Sequence, residues 1–271
     1  MSNKITQAVI LSAGFGTRLR AVTEKMNIPK VMAPLLSKPL LEWHIEALKK
    51  SGIREFFVNL HYLPGVIINY FGNGLKWKVK INYAFEKPEI LGTAGGIKNF
   101  EDILGDNFFV LYGDTFYEID YGEIERFYFS RDNAIGAGTV RKTDHPLDSD
   151  LAVLGENDRV ARFLLKPHQG ELLARLESRS ESGGPENYWG MSAPYIFSKK
   201  ILEFIPPKTY YEIDHQLVPD LLGRGYNYYA YKLQKGEFRK DIGTPERYRE
   251  VEEYLKKKQP KFFIIENVKG L

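Results

Sequence analysis

Short apolar segments, separated by glycine, proline and charged residues, recur through the first half of the chain. Residues 8–11, 55–60 and 107–112 are nearly continuous apolar runs, which are typical of strands buried on both faces of a parallel sheet. Residues 79–85 alternate apolar and polar positions, which predicts a strand with one more polar face. Another apolar segment, 133–140, predicts a further strand.

Helical periodicity lies between these strands. Residues 40–51 place Leu41, Ile45 and Leu48 on one face, and Gly52 suits the left-handed position beyond the helix end. Further helices are predicted at 64–70 and 123–130. Strands alternating with helices at this spacing imply βαβ units, so the predicted fold is α/β, with a Rossmann-like, mostly parallel sheet sandwiched by helices. Such sheets bind ligands at the carboxyl ends of their strands.

The second half of the chain is less regular. Its predicted elements are a hairpin of 152–154 and 160–165, strands at 195–197 and 226–233, and helices at 199–204, 214–222 and 245–258. Residues 168–187 end in a stretch rich in serine, glycine and proline, which predicts a mobile loop. The tail after Pro260 is apolar at its middle and suits docking onto the core or onto a neighbouring subunit. Without a repeat or a clear boundary, we expect a single domain over 1–271.

Composition narrows the class of protein. The 271 residues suffice for a large core, and the chain has no apolar run of about 18 residues that could span a membrane. The N-terminus lacks a hydrophobic signal segment, and the absence of cysteine excludes disulfides and thiolate chemistry. We therefore expect a cytoplasmic protein with no membrane partner. The net charge of +3, with both signs interspersed, argues against a nucleic-acid partner. The histidines have no metal-ligand spacing; they are His44, His61, His145, His168 and His215.

The strand at 8–11 leads into the sequence SAGFGTR, which suits the binding of a polyphosphate. Gly14 and Gly16 let the backbone turn sharply and approach a ligand, with its N–H groups pointed at an anion. Arg18 adds a planar charged fork for phosphate oxygens, and Lys30 supplies a second cation. A dinucleotide-binding fingerprint would need a third glycine where Leu19 stands, and the chain contains no P-loop.

Further motifs could bind the rest of a nucleotide and a metal ion. The glycine-rich sequence EKPEILGTAGG at 86–96 can let a base or a sugar lie against the backbone. Asp114 follows an apolar strand in the context YGD, and Asp241 begins the sequence DIGTPE. Each carboxylate can cap a turn or hold a hard cation against phosphate oxygens, since Mg²⁺ takes one or two carboxylates plus substrate phosphates. In the same way, Thr244 can cap a helix that begins at Pro245.

The strings LSAGFGTRL, IPKVMAP and KPLLEW, in this order, resemble the signature of the sugar-phosphate nucleotidylyltransferases. The resemblance implies the nucleotide-diphospho-sugar transferase fold, here without a left-handed β-helix domain. It implies that a nucleoside triphosphate (NTP) and a sugar 1-phosphate react by direct displacement to give an NDP-sugar and pyrophosphate. The implied cofactor is Mg²⁺. A homo-oligomer is left open. The nucleotide would be bound within about 1–120, and the sugar phosphate and metal within about 121–258.

The resemblance also assigns residues to roles. The implied catalytic residues are Arg18, Lys30, Asp114 and Asp241, and the implied metal ligands are Asp114 and Asp241. The implied nucleotide-binding residues are Leu11, Ala13, Gly14, Gly16, Thr17, Glu86 and Gly92, and the implied sugar-phosphate-binding residues are Gly95 and Lys166.

Two positions depart from the family pattern, and both concern the sugar. Leu165 stands where the family has a glutamate before Lys166, and Met191 and Ala193 stand in place of the family's Asn-x-Gly. The sequence most resembles mannose- or heptose-1-phosphate guanylyltransferases. Glucose-1-phosphate thymidylyl- or uridylyltransferases, and a non-catalytic regulatory homologue that binds NDP-sugars, stay open as alternatives.

Overall fold

The computed structural model describes residues 4–143, 146–170 and 188–258. The strands are β1 (Gln7–Leu11), β2 (Pro34–Leu35), β3 (Lys38–Pro39), β4 (Glu55–Leu60), β5 (Lys80–Phe85), β6 (Asn107–Tyr112), β7 (Thr115–Glu118), β8 (Ala134–Arg141), β9 (Leu151–Leu154), β10 (Val160–Leu164), β11 (Tyr188–Ser198), β12 (Asn227–Lys232) and β13 (Phe238–Asp241). The α-helices are α1 (Arg20–Thr23), α2 (Leu40–Lys50), α3 (Pro64–Phe71), α4 (Gly92–Lys98), α5 (Tyr121–Phe129), α6 (Val218–Gly223) and α7 (Pro245–Lys258).

The central sheet has the order β10-β9-β11-β6-β1-β4-β5; in addition, β8 pairs with β11, and β12 pairs with β8. Strands β6, β1, β4 and β5 are parallel, which confirms the predicted mostly parallel sheet of an α/β fold. Strand β11 joins this set antiparallel to β6. Strands β1, β4 and β6 are buried on both faces because helices cover both sides, whereas β5 at the edge of the sheet keeps a more exposed face, as predicted. No left-handed β-helix occurs in the ranges that the structure describes.

Most predicted elements are present, and the largest difference is β11. The prediction covered only residues 195–197, whereas the strand extends over Tyr188–Ser198. Its pairing with β8 shifts register between Ser192 and Tyr195, and a proline at this irregularity hides the strand pattern in the sequence. Residues 171–187 of the predicted mobile loop, His145 and the tail after Pro260 lie outside the described residues.

Three smaller differences concern local geometry. Residues 199–204 form a 3₁₀-helix, and the helix predicted at 214–222 begins with a π-helical turn over Ile213–Leu217 before α6. Strands β7 and β13 form a separate two-stranded sheet that the sequence did not predict. None of the helices in the described ranges has the length and apolarity needed to cross a membrane.

Two apolar clusters hold the fold together. The larger surrounds β1, β4 and β6 and takes in the predicted inner face of α2, where Leu41, Ile45 and Leu48 are fully buried. The smaller cluster joins Leu19 and Leu35 to Phe116 of β7 and Val251 of α7. This second cluster fixes the segment after β1 against β7, β13 and α7, which together carry the cations and carboxylates that the sequence singled out.

Candidate active site

A cavity of about 440 Å³ opens at the carboxyl ends of β1, β4, β5 and β6. It is lined by Leu11, Ser12, Ala13, Gly14, Gly16, Thr17, Arg18, Lys30, Val31, Asn59, Glu86, Ile90, Gly92, Thr93, Tyr112, Asp114, Tyr210, Glu212 and Gly243. The lining contains every residue that the sequence assigned to nucleotide binding, together with both predicted cations. Asp241, Gly95 and Lys166 are not part of it.

The glycine loop after β1 packs closely on Lys30. Gly16 has φ +62°, and a Cβ at this position would lie 2.7 Å from the Lys30 Cβ. Gly14 has open space on the corresponding side. Gly16 is therefore required both by its left-handed backbone and by the approach of Lys30, whereas Gly14 leaves the backbone open toward a ligand.

Lys30 is a buried cation held by one carboxylate. Its side chain is 9% exposed, and its Nζ donates to Asp114 Oδ2 at 2.6 Å. Because a buried charge is costly unless it is paired, this contact fixes the ammonium group at the cavity wall. Asp114 follows β6, as predicted, and its own side chain is 42% exposed to the cavity side.

The small sheet of β7 and β13 brings Asp241 next to Asp114. Asp241 pairs with Thr115 in the antiparallel register, and the Ile242 N–H donates to the Asp114 carbonyl at 2.9 Å. Two carboxylates that are far apart in the sequence thus lie at one end of the same two-stranded ladder. Neither strand of this ladder was predicted.

Gly243 marks the point where the charges meet. A Cβ placed there would lie 2.5 Å from Asp241 Oδ1, 3.3 Å from Arg18 Nη2 and 3.6 Å from Lys30 Nζ. The Gly243 N–H donates to Asp241 Oδ1 at 3.0 Å. The structure therefore brings together all four residues to which the sequence assigned catalytic roles, with Asp241 just behind the cavity lining.

Arg247, which the sequence analysis did not single out, binds Asp241. Its Nη1 lies 2.9 Å from both carboxylate oxygens. Burial acts to raise the pKa of Asp241, but the hydrogen bonds from Arg247 and Gly243 and the charges of Arg247 and Lys30 outweigh it, so the pKa lies below its ordinary value. Asp241 is ionised at neutral pH.

The donor set fits a magnesium ion that binds together with phosphate. Among the described residues, no group of three or more histidine, cysteine or carboxylate side chains could hold a metal alone. Asp114 and Asp241 offer two hard oxygen ligands next to a cavity lined by cations. This is the pattern that Mg²⁺ uses when substrate phosphates complete its coordination.

Glu86 is anchored inside the cavity wall. Its side chain accepts from Asn59 Nδ2 at 2.6 Å and from the Leu91 N–H at 2.7 Å, and it is 1% exposed. Asn59 in turn accepts from the Ser12 N–H at 2.6 Å. These hydrogen bonds, which run from Ser12 through Asn59 and Glu86 to Leu91, hold the glycine loop against the loop before α4. Sequence reasoning missed Asn59, although a lone polar residue in an apolar strand is a signal for such a role.

A second buried network lies behind Tyr112 of the lining. The hydroxyls of Tyr112 and Tyr195 each donate to the Asp214 carboxylate at 2.6 Å. Burial raises the pKa of Asp214, and the two hydroxyls offset part of this effect. The sequence assigned a role to none of these three residues, because the contacts join β6, β11 and the π-helical turn. Met191, at the position of the family's asparagine, is buried and absent from the cavity lining.

The two residues assigned to the sugar phosphate do not line the cavity. The Gly95 N–H donates to the Tyr211 carbonyl at 3.0 Å, and a Cβ on Gly95 would lie 2.7 Å from the Thr209 carbonyl oxygen. Gly95 therefore packs α4 against residues 209–211. The exposed Lys166 lies after β10, where its backbone N–H donates to Asp150 Oδ1 at 3.0 Å.

Comparison with known proteins gives matches over nearly the whole chain. Residues 7–258 match the nucleotidyl transferase family. A UTP–glucose-1-phosphate uridylyltransferase of Synechocystis is 30% identical over 240 residues, which are 84% of this chain and 58% of that protein. A D-glycero-α-D-manno-heptose 1-phosphate guanylyltransferase of Campylobacter jejuni is 43% identical over 119 residues, which are 44% of this chain and 52% of that protein.

A solved structure has the same fold. The crystal structure of HddC from Yersinia pseudotuberculosis complexed with GMP-PN superposes with a TM-score of 0.68 at 25% identity, covering 93% of this chain and 100% of that one. The chain spans somewhat more than half the length of the Synechocystis and Campylobacter relatives. The match over 7–258, the fold and the glycine loop agree: this chain belongs to the nucleotidyl transferase family.

Proposed function

We propose that the protein is a sugar-1-phosphate nucleotidylyltransferase that joins a nucleoside triphosphate to a sugar 1-phosphate and releases pyrophosphate. The observation that carries the proposal is the meeting of Arg18, Lys30, Asp114 and Asp241 around Gly243, at one side of a cavity built from the glycine loop. Two cations and two carboxylates at one point suit a phosphoryl-type transfer, in which catalysis is mostly positioning and charge stabilisation.

The chain's own residues account for most of the chemistry. The phosphate of a sugar 1-phosphate is already an oxyanion at neutral pH, so attack on the α-phosphorus needs no general base. Lys30, fixed by burial, would stabilise charge at the α-phosphoryl group, and Arg18 would neutralise charge on the pyrophosphate as it leaves. Asp114 and Asp241 would hold Mg²⁺, which supplies Lewis-acid stabilisation of phosphate oxygens when bound. The exposed Lys166 would orient the sugar phosphate from outside the cavity.

For the substrates, we propose GTP and the 1-phosphate of mannose or of a heptose. Two similarities support a guanine nucleotide. The Campylobacter relative, a heptose 1-phosphate guanylyltransferase, has 43% identity, and the Yersinia structure contains GMP-PN. The Synechocystis relative, which is named for UTP and glucose 1-phosphate, supports the second candidate, a uridylyltransferase.

The test measures pyrophosphate release with Mg²⁺, crossing ATP, CTP, GTP, UTP and dTTP with mannose, heptose and glucose 1-phosphates. We expect turnover with GTP and one of the first two sugars. Turnover with UTP or dTTP and glucose 1-phosphate would establish the second candidate instead. Binding of nucleotide without turnover of any pair would refute the proposed substrates and point to an unusual sugar or to a regulatory NDP-sugar-binding protein.

Variants of the carboxylates test the residue assignment. Asp114→Asn and Asp241→Asn keep side-chain size but remove the negative charge, so each should lower kcat at least about 100-fold at saturating Mg²⁺. Glu89→Gln, which neutralises an exposed carboxylate before α4, is the matched control and should retain activity. Retained turnover in either aspartate variant would contradict the proposed metal ligands.

A further inference from the structure

Arg247 occupies a position where the helix itself disfavours a cation. Thr244 caps α7: its Oγ1 accepts from the Arg247 N–H at 3.4 Å and its carbonyl accepts from the Tyr248 N–H at 2.9 Å. Arg247 is thus the third residue of the helix, where a capping box carries glutamate or glutamine and where the helix dipole favours negative charge. Local helix stability therefore does not explain the arginine.

The contact with Asp241, which lies just before the helix, does explain it. The Arg247 Nη1 binds both oxygens of Asp241 at 2.9 Å, so the guanidinium lies against the carboxylate edge that a cation would need. The two side chains are 45% and 38% exposed, in contrast to the 9% of Lys30. A half-exposed ion pair is weak and can open, whereas the pair of Lys30 with Asp114 is fixed by burial.

The charges around Gly243 also disfavour the binding of a divalent cation by itself. Before any ligand binds, Arg18, Lys30 and Arg247 outnumber the two carboxylates Asp114 and Asp241 by one positive charge. A divalent cation entering alone would raise this excess and would have to displace the guanidinium from Asp241. A triphosphate that enters with the cation removes the excess. The site therefore opposes a free divalent cation more than it opposes the metal–nucleotide complex.

We infer that Arg247 competes with a divalent cation for Asp241 and thereby weakens cation binding by the nucleotide-free protein. Arg247 is in this sense a positioning residue, which acts through the carboxylate rather than on the reacting atoms. The inference rests on the proposed function, because it takes Asp241 as a metal ligand. Within the sequence DIGTPER, Asp241 would bind the cation and Arg247 would compete with the cation for Asp241.

The experiment measures Mn²⁺ affinity of the nucleotide-free protein by electron paramagnetic resonance and by isothermal titration calorimetry. Arg247→Gln and Arg247→Met remove the competing charge with two different side-chain shapes. Each should bind Mn²⁺ about tenfold more tightly than the unmodified protein, which corresponds to ~1.4 kcal/mol. Arg249→Gln is the matched control, because Arg249 lies on the same turn of α7, is exposed and contacts Glu246 instead of Asp241. Its Mn²⁺ affinity should be unchanged.

The outcomes separate this inference from the proposed function. Unchanged or weaker Mn²⁺ affinity in both Arg247 variants, with binding abolished by Asp241→Asn, overturns the competition and leaves the metal site intact. If Asp241→Asn binds Mn²⁺ as the unmodified protein does, the metal assignment itself fails and the competition fails with it. A tenfold gain in both Arg247 variants and none in Arg249→Gln supports the competition, since a merely structural role of the arginine predicts no gain in metal affinity.

Discussion

Replacing Gly16 by alanine should destabilise the protein and displace Lys30, whereas the same change at Gly14 should do neither. Both glycines belong to the loop after β1 and both line the cavity. They differ in geometry: only Gly16 has a left-handed φ, +62°, and only there would a Cβ meet another atom. Comparing the two alanine variants therefore tests whether glycine is required at position 16 in particular or merely somewhere in the loop.

Two contributions set the loss in the free energy of unfolding that we expect for Gly16→Ala. An alanine in the left-handed region costs about 1–2 kcal/mol. The new Cβ would lie 2.7 Å from the Lys30 Cβ, compared with ordinary carbon contacts of about 3.5–4.0 Å, so one of the two must move by about 1 Å. Because the Lys30 Cβ is fixed to a buried 3₁₀ turn, Lys30–Met32, the backbone must yield, at a cost of about 1–3 kcal/mol. We expect Gly16→Ala to lose about 2–5 kcal/mol of the free energy of unfolding.

Urea unfolding gives the free energies, and initial rates of pyrophosphate release give the second readout. Displacing Lys30 by about 1 Å should lower kcat/KM by about 100-fold. Gly14→Ala should unfold within about 0.5 kcal/mol of the unmodified protein. Equal stabilities of the two alanine variants would refute the reasoning, because they would mean that neither the backbone angle nor the contact with Lys30 constrains residue 16.

Two further predictions concern buried groups. Glu86→Gln should cost about 1–3 kcal/mol in urea unfolding, because its new amide must face the donor of either Asn59 or Leu91, while Glu89→Gln should cost nothing measurable. Burial lowers the pKa of His44 to about 4, although the Gly113 carbonyl and the charge of Asp114 favour its protonated form. Between pH 7 and pH 5 the unfolded chain therefore binds a proton at His44, whereas the folded protein keeps this histidine neutral. The contribution of His44 to the free energy of unfolding is full above about pH 6.5 and falls by about 2 kcal/mol between pH 7 and pH 5. His44→Gln should lose this pH dependence, and an unchanged pH profile would contradict it.

The first half of the fold could be predicted because its information is local. Strands buried on both faces appear as apolar runs, and α2 shows its inner face at helical spacing, so β1, β4, β6 and α2 were found within a few residues. The prediction failed where long-range pairing overrides the local pattern. In β11 the register shift near Ser192 breaks the alternation that would mark a strand, and β7 and β13 are too short to be recognised alone.

The sequence by itself predicted which chemical groups the candidate site contains: a glycine loop, the cations Arg18 and Lys30, and the carboxylates Asp114 and Asp241. Each belongs to a short motif that resembles the pattern of the sugar-phosphate nucleotidylyltransferases, and the resemblance singled it out. Only the tertiary structure decided how these groups are paired and which others join them. The β7–β13 ladder and the ion pair of Lys30 with Asp114 join segments that are far apart in the sequence, whereas Arg247 contacts Asp241 across the short turn between β13 and α7. The ladder depends on the apolar cluster that β7, β13 and α7 share, and no local pattern encodes it.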